Sequence, residues 1–350
     1  MKKKFKKLVN KVKKTPPPDE LAAGVPRITN DTVAEHREEV IGSAKKYIYP
    51  LQHSKHRIVI VSSMLFIAAT VSFFAYCLIA LYRLQTNSTF LYRVTEVIPF
   101  PVARVGGKFV AYENYLFELR HYVHYYETQQ RTDFNEPNNE EQLKNFKNKA
   151  LDKVINEVYI KQLAQENNIQ VSNKEVDSQL VLLRNQNRLG SSEKVFEDVL
   201  KDYWNWTIDD FKRELKSELL IQKLLAQLDT DATSRATKIL DQLNDGKKFE
   251  DVAKKYSDDQ ETKARGGEYG FPVDKSNRNL SASATEAIFK LKKGEYSKVI
   301  NTGKALEIFK VIDKQGNKVR AAHIVVDFKG INVFIDELKE KQGYRSYISF

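Results

Sequence analysis

The stretch Gly246-Lys-Lys-Phe-Glu-Asp-Val-Ala-Lys-Lys-Tyr-Ser-Asp-Asp259 is followed by Lys263-Ala-Arg-Gly-Gly-Glu-Tyr-Gly270 and Ala287-Ile-Phe-Lys-Leu-Lys-Lys-Gly-Glu-Tyr-Ser-Lys-Val299. Just before it, Ala236, Ile239, Leu240 and Leu243 recur at helical spacing and form one apolar face. Just after it, Leu306-Glu-Ile-Phe-Lys-Val-Ile312 and the segment from Lys318 to Val326 read as two strands. The Gly-containing turn Asp313-Lys-Gln-Gly-Asn317 joins them into a hairpin.

Upstream, residues 95–228 carry helical patterning. Val102-Ala-Arg-Val-Gly-Gly-Lys-Phe-Val110 reads as strand, Gly-Gly turn, strand. Tyr112, Tyr115, Leu116, Leu119, Val123 and Tyr126 share one helix face. Arg131–Glu141 is polar and reads as a loop. Leu151, Val154, Ile155, Val158, Tyr159 and Leu163 mark a second helix, broken at Asn167-Asn168. Ser172-Asn-Lys-Glu175 is a capping box that starts a third. Gly190-Ser-Ser192 is a turn, and Thr207-Ile-Asp-Asp210 opens a long helix with Phe211, Leu215, Leu219, Leu220, Leu224, Leu225 and Leu228. His121 and His124 lie three apart, but no third metal ligand is visible, so packed or solvated histidines are expected.

Farther upstream lies the membrane signal. Ile58 to Tyr82 holds 25 residues without a charge. A bilayer core of about 30 Å needs about 20 apolar residues in a helix, so this segment spans with some tilt. It is too long and too far from the start for a cleaved signal peptide. Lys45, Lys46, Lys55 and Arg57 precede it, and Arg83 and Arg93 follow. That bias places the N-terminus in the cytoplasm and residues 83–350 outside. Met1–Lys14 is a Lys-rich run ended by Pro16-Pro17-Pro18; it is either a solvated topology tail or a lipid-contacting one.

Composition agrees. The chain has 350 residues and a formal charge of +11, with a pI near 9.3. Residues 1–57 hold 14 Lys/Arg and 6 Asp/Glu, against 43 and 40 in the remainder, so most of the excess sits in the tail. A basic face spread over a fold, the footprint of a nucleic-acid binder, is therefore not expected. A single cysteine, Cys77 within the apolar run, excludes an intrachain disulfide framework and a Cys-based zinc site. Arg265-Gly-Gly267 lacks the Lys-Ser/Thr of a phosphate loop, and no cofactor or metal is expected.

The opening stretch resembles the parvulin (PpiC-like) peptidyl-prolyl isomerases. The residues that carry the resemblance follow the order G-x-x-F-x-x-x-A-x-x-Y-S-x-D, then R-G-G-x-x-G, then A-x-F-x-L-x-x-G-x-x-S. The upstream region resembles the helical chaperone domain of SurA/PrsA foldases. There the resemblance rests on Arg104-Val-Gly-Gly-Lys-Phe-Val110, Leu151-Asp-Lys-Val-Ile-Asn-Glu157, Ile169-Gln-Val-Ser-Asn-Lys-Glu-Val-Asp177 and Phe211–Gln222. Gly106 stands where that family usually has Asn. The implied fold is α+β: one transmembrane helix (58–82), a linker (83–101), a mostly helical chaperone domain (102–230) and a parvulin-like domain (232–350). The parvulin-like domain would have an antiparallel sheet with helices. Parvulins begin with a histidine-bearing strand, yet residues 222–233 continue a helix here. Arg320-Ala-Ala-His-Ile-Val-Val326 appears at the far end instead. Either the domain is circularly permuted, with its first strand at 319–327, or a truncated second domain starts at Arg320.

An isomerase must lower a rotation barrier of about 18–20 kcal/mol around X-Pro amides. It needs an apolar grip on the ring and well-placed hydrogen bonds in a dry site. The resemblance implies His323, Asp259 and Glu307 as catalytic residues. It implies Leu280, Phe271, Tyr269, Ala284 and Phe289 as the substrate pocket. Two departures weaken activity: Ala284 replaces a pocket Phe, and Glu307 replaces the second histidine. Asp259 is either a site carboxylate or a turn cap. Tyr203, Trp204 and Trp206 are either a client-facing patch or core. The implied partners are unfolded or newly translocated polypeptides and a lipid bilayer, without nucleic acid. The function implied is a membrane-anchored extracytoplasmic isomerase and foldase. The alternatives are a non-catalytic holdase and an envelope or secretion scaffold.

Overall fold

The computed structural model describes residues 29–48, 51–190 and 192–350. The Lys-rich run and the triple proline lie outside the described residues. The chain divides into two compact units, Met1–Cys77 and Leu78–Phe350. In the first, α1 (Asn30–Ile48) is followed by α2 (Leu51–Leu78), which runs on into one wider turn, Ile79–Arg83. The helical stretch Arg57–Arg83 is 27 residues long and apolar enough to cross a membrane, and its most apolar window is unburied. A helix apolar on every side finds its solvent in lipid or a core.

The second unit holds the rest. The 83–101 segment, expected to be a linker, contains α3 (Thr89–Val97), started by the Ser88 hydroxyl accepting from Leu91 N–H and anchored by buried Leu91. β1 (Pro101–Val105) and β2 (Lys108–Ala111) form the expected hairpin. Gly106 at its turn has φ +53°, a left-handed conformation that glycine adopts freely and asparagine tolerates. That accounts for both the family's Asn and this chain's Gly. α4 (Tyr112–Gln129) buries Tyr112, Tyr115, Leu116, Leu119 and Val123, the face set by their spacing. α5 (Glu140–Glu166) buries Leu151, Val154, Ile155, Tyr159 and Leu163 against it. α6 (Asn173–Asn185) and α8 (Ile208–Leu228) both begin with complete capping boxes, at Ser172/Glu175 and Thr207/Asp210. Between them, α7 (Glu193–Trp204) closes a small core of Leu180, Phe196 and Leu200. Trp206 stacks on Phe117 at 5.6 Å and on Trp204 at 5.9 Å, while Tyr203 stays exposed.

α9 (Thr230–Asn244), α10 (Phe249–Tyr256), α11 (Gln260–Lys263) and α12 (Ala282–Lys290) surround a small antiparallel sheet. Its order is β3 (Ile300–Asn301), β4 (Ala305–Gln315), β5 (Lys318–Asp327). Alternation along β4 and β5 sends Leu306, Ile308, Ala322, Ile324 and Val326 to the face covered by α9 and α10. Phe309, Val311, Val319 and Ala321 face α12. The strand pair runs from Ala305↔Asp327 to Gln315↔Lys318 with one bulge between Val311 and Asp313, so the His323 segment is a full partner of β4.

The last residues of the 232–350 stretch return to the helical region. α13 (Ile331–Gln342) packs on α5 and α8, and β6 (Tyr344–Ser346) pairs antiparallel with β1. Phe350 stacks on Tyr115 at 6.2 Å, and Tyr159 donates to the Gly343 carbonyl at 2.9 Å. The last residues therefore complete the helical region, and the parvulin-like part is inserted between α8 and α13. Asp229 fastens the two crossovers: one carboxylate oxygen caps α9 at Ala232 N–H (3.1 Å) and the other accepts from Lys329 N–H (2.7 Å).

A partly buried charge cluster sits inside the helical part. Lys153 Nζ lies 2.9 Å from both Glu118 and Glu214 carboxylates. Glu157 brings a third carboxylate within 4.8 Å of those two. The ammonium already supplies the positive charge that a cation would bring. His121 Nδ1 is 3.6 Å from Glu118, whereas His124 Nε2 turns to the Asp202 carbonyl at 3.1 Å, so the histidines form no pair. Burial pushes Glu118 up to about 7, against the lowering pull of Lys153. Burial, then the Lys153 charge, pushes His121 down to about 4. For Glu118 the folded state favours the protonated acid. Its stabilising contribution is complete below pH 4.5 and is lost as pH rises through about 7. Melting curves of wild type and Glu118→Gln from pH 4 to 8 check this. The wild type should lose on the order of 3 kcal/mol relative to the variant over that window. A constant difference would contradict it.

Candidate active site

The hairpin and the loop after α10 bring distant residues to one point. Phe309 faces His323 across the ladder, so Glu307 stands diagonal to His323 on the same side. Ser257 Oγ accepts from Val325 N–H at 3.1 Å, and Asp258 N–H donates to Val325 O at 2.8 Å. These two bonds zip the loop onto β5 and carry Asp259 to the ring. His323 Nδ1 then lies 2.8 Å from Glu307 Oε2 and 3.0 Å from Tyr269 Oη. Nε2 lies 2.9 Å from Asp259 Oδ2 and 3.0 Å from Thr262 Oγ1. Thr262 Oγ1 also donates to Asp259 at 2.5 Å, and Thr302 Oγ1 donates to Glu307 Oε1 at 2.7 Å.

Gly267 seats the ring from the backbone side. Its carbonyl accepts from His323 N–H at 2.9 Å, and its φ is +89°. The Arg-Gly-Gly motif is thus the place where a loop lies directly on β5, too close for a side chain.

The electrostatics follow from this packing. His323 is 8% exposed. Burial raises Asp259, but hydrogen bonds from Thr262, His323 and the Glu261 N–H hold its carboxyl below the usual range. Asp259 is therefore an anion, and it is a turn cap as well: Oδ1 accepts from Glu261 N–H at 3.0 Å. Burial, then the Glu307 and Asp259 charges, keep the Tyr269 phenol far above its ordinary value, a neutral hydroxyl. A histidine between two carboxylates and two hydroxyls is held in one orientation. It can relay a proton between its nitrogens or present a fixed polar surface.

His323, Asp259, Glu307 and Leu280 line a cavity of about 1500 Å³ together with Ile160, Glu157 and Leu225 of the helical part. Of the pocket residues read from sequence, only Leu280 lines it among the described residues. Tyr269 instead bonds to His323, with ring centroids 4.3 Å apart. Phe271 is 40% exposed, beside the Tyr269 ring. Ala284 is 1% exposed and packs with Ile288 and Phe309, and Phe289 packs against that same core. Both belong to the interior beneath α12, because α12 turns that side toward the sheet. Thr262 and Thr302 went unread in the sequence. The only signal for Thr262 was its place three residues after Asp259; Thr302 had none.

The PPIC-type PPIase domain family matches residues 220–313, and the SurA-like N-terminal domain family matches residues 51–225, half of the chain. The PPIC match stops before His323 and begins inside α8. YacD of Bacillus subtilis (strain 168), named as a peptidyl-prolyl cis-trans isomerase, is 28% identical over 216 residues, covering 56% of this chain and 65% of that protein. The foldase protein PrsA of Pediococcus pentosaceus is 34% identical over 115 residues, 33% of this chain and 38% of that one. The chain thus spans less than two thirds of either relative's length. A crystal structure of foldase protein PrsA from Streptococcus pneumoniae shares 20% identity over 57% of this chain and 77% of that one. Its TM-score is 0.19.

Proposed function

Because the chain belongs to the SurA-like N-terminal domain family and carries a PPIC-type PPIase domain, we propose that it is a membrane-anchored foldase that isomerises X-Pro bonds. The observation that carries this reading is His323 fixed between Asp259 and Glu307 on a cavity wall. In the proposed mechanism the client proline sits against Leu280 and its amide rotates over the His323 network. Rotation breaks amide conjugation and moves charge from oxygen to nitrogen. Fixed hydrogen-bonding groups stabilise that redistribution without reorganising. The clients are translocated polypeptides, held by the helical part. The span Arg57–Arg83 and its basic flank support a cytoplasmic N-terminus with the second unit outside.

The domain reading is permuted. The pairing of β5 along the length of β4 supports it, and so does a PPIC match that ends before β5. His323 would then be the first-strand histidine moved behind the last strand.

The test is an isomerisation assay on a proline tetrapeptide, with the full chain in detergent micelles. The rate should exceed the uncatalysed one, which takes tens to hundreds of seconds. An unchanged rate would end the enzyme reading. Glu307, on the cavity wall in the place of the family's second histidine, favours a second reading as a holdase. Suppressed aggregation of an unfolded protein without isomerisation would select it.

A further inference from the structure

Two side chains of the helical part reach across to the loop that carries Leu280. Just past the end of α6, Gln186 is 6% exposed and donates from Nε2 to the Ala282 carbonyl at 2.8 Å. Arg188 Nε donates to Gln186 Oε1 at 2.7 Å, which fixes the guanidinium. Arg188 Nη2 then donates to the Asn277 carbonyl at 2.7 Å, the Ser281 carbonyl at 3.4 Å and Thr285 Oγ1 at 3.0 Å. These acceptors bracket Leu280 on both sides, and Arg188 itself lines the cavity.

Leu280 packs against the Phe309 core and Lys275 sits over the Phe289 ring, but hydrogen bonding holds the loop only weakly. Its own bonds are short-range, such as Asn279 N–H to Asn277 Oδ1 at 2.8 Å and Ser276 N–H to Asp274 Oδ1 at 2.9 Å. Its segment Asp274–Leu280 carries no helix or strand. A planar guanidinium offering donors to several acceptors is suited to fixing such a segment.

We propose that Arg188 and Gln186 are positioning residues for the isomerase site: the helical part sets the Leu280 loop and so the proline grip. The inference rests on the proposed isomerase reading. It makes the two parts of the second unit one functional device. The site would be complete only while the helical part is docked.

The test uses the full chain in micelles. Amide exchange is measured over residues 274–285, together with binding of a fluorescein-labelled tetrapeptide with a central X-Pro bond. In Arg188→Ala, loop amides should exchange about tenfold faster and the peptide Kd should rise about fivefold, the scale of one lost charged hydrogen bond. Amides of β4 and β5 should keep their protection. Arg188→Lys, which keeps the charge without the fork, should recover only part of the effect. Thr285→Val removes one of the Arg188 acceptors, in the first turns of α12 next to the loop, at nearly constant volume and should move exchange in the same direction. Wild-type loop exchange in both Arg188→Ala and Thr285→Val would overturn the proposal. An inactive wild type would overturn the isomerase reading, and the exchange result would still decide whether Arg188 sets the loop.

Discussion

Gly267→Ala is expected to destabilise the chain by about 2–5 kcal/mol. A non-glycine residue at a left-handed φ costs about 1–2 kcal/mol, and forcing extra volume into a packed site costs about 1–3 more. Both apply at once, because φ is +89° and the added methyl would run into the His323 carbonyl oxygen, with Ala253 Cβ 3.3 Å away on another side. The obstacle is backbone in the central hairpin and cannot swing aside. A domain's whole stability is about 5–15 kcal/mol, so the loss is a large share of it. Gly294 is the control. Its φ is +84° with nothing near the added carbon, so Gly294→Ala should show only the conformational part, about 1 kcal/mol. Denaturant unfolding of both variants checks this. Equal losses in the two would mean that the close approach at β5 has no energetic weight.

His323→Ala is expected to lower kcat/KM for proline-peptide isomerisation about 100-fold, the usual scale for removing one preorganised polar group from a reacting site. The variant leaves Asp259 and Glu307 facing an empty space, so some stability is lost with the rate. Far-UV circular dichroism must therefore show native structure before the rate is read. Asp259→Asn keeps shape and removes charge, and should lower the rate by a smaller factor in the same direction. Its effect would come through the ring it orients, because Oδ2 bonds to His323 Nε2 at 2.9 Å. Full activity in native-like His323→Ala would remove the histidine from the mechanism.

Much of the fold was legible because it is local. The capping boxes at Ser172 and Thr207 formed as read, since an N-cap and its partner are three residues apart. The helix faces on α4 and α5 follow from periodicity alone. The hairpin of β4 and β5 is adjacent in sequence, and its turn carries Gly316 at φ +57°. The site was legible in part. His323, Asp259 and Glu307 were named through resemblance, and they do converge. Ala284 and Phe289 pack under α12 away from the cavity, because a residue's side of a helix is set by what that helix packs on. Nothing within a few residues of Ala284 shows that α12 turns it toward Phe309.

The sequence by itself determined the apolar span, the helix starts and faces, the hairpin turns and the strand bearing His323. Each is written in residues close enough to interact during the first steps of folding. Only the tertiary structure decided the rest. It brought Thr262 and Asp259 to a ring more than sixty residues later in the chain. It seated Arg188 on the Leu280 loop, and it returned β6 to β1. Those contacts join segments whose local patterns carry no mark of one another. They form because packing these elements together takes polar groups out of water, and groups out of water need hydrogen-bond partners.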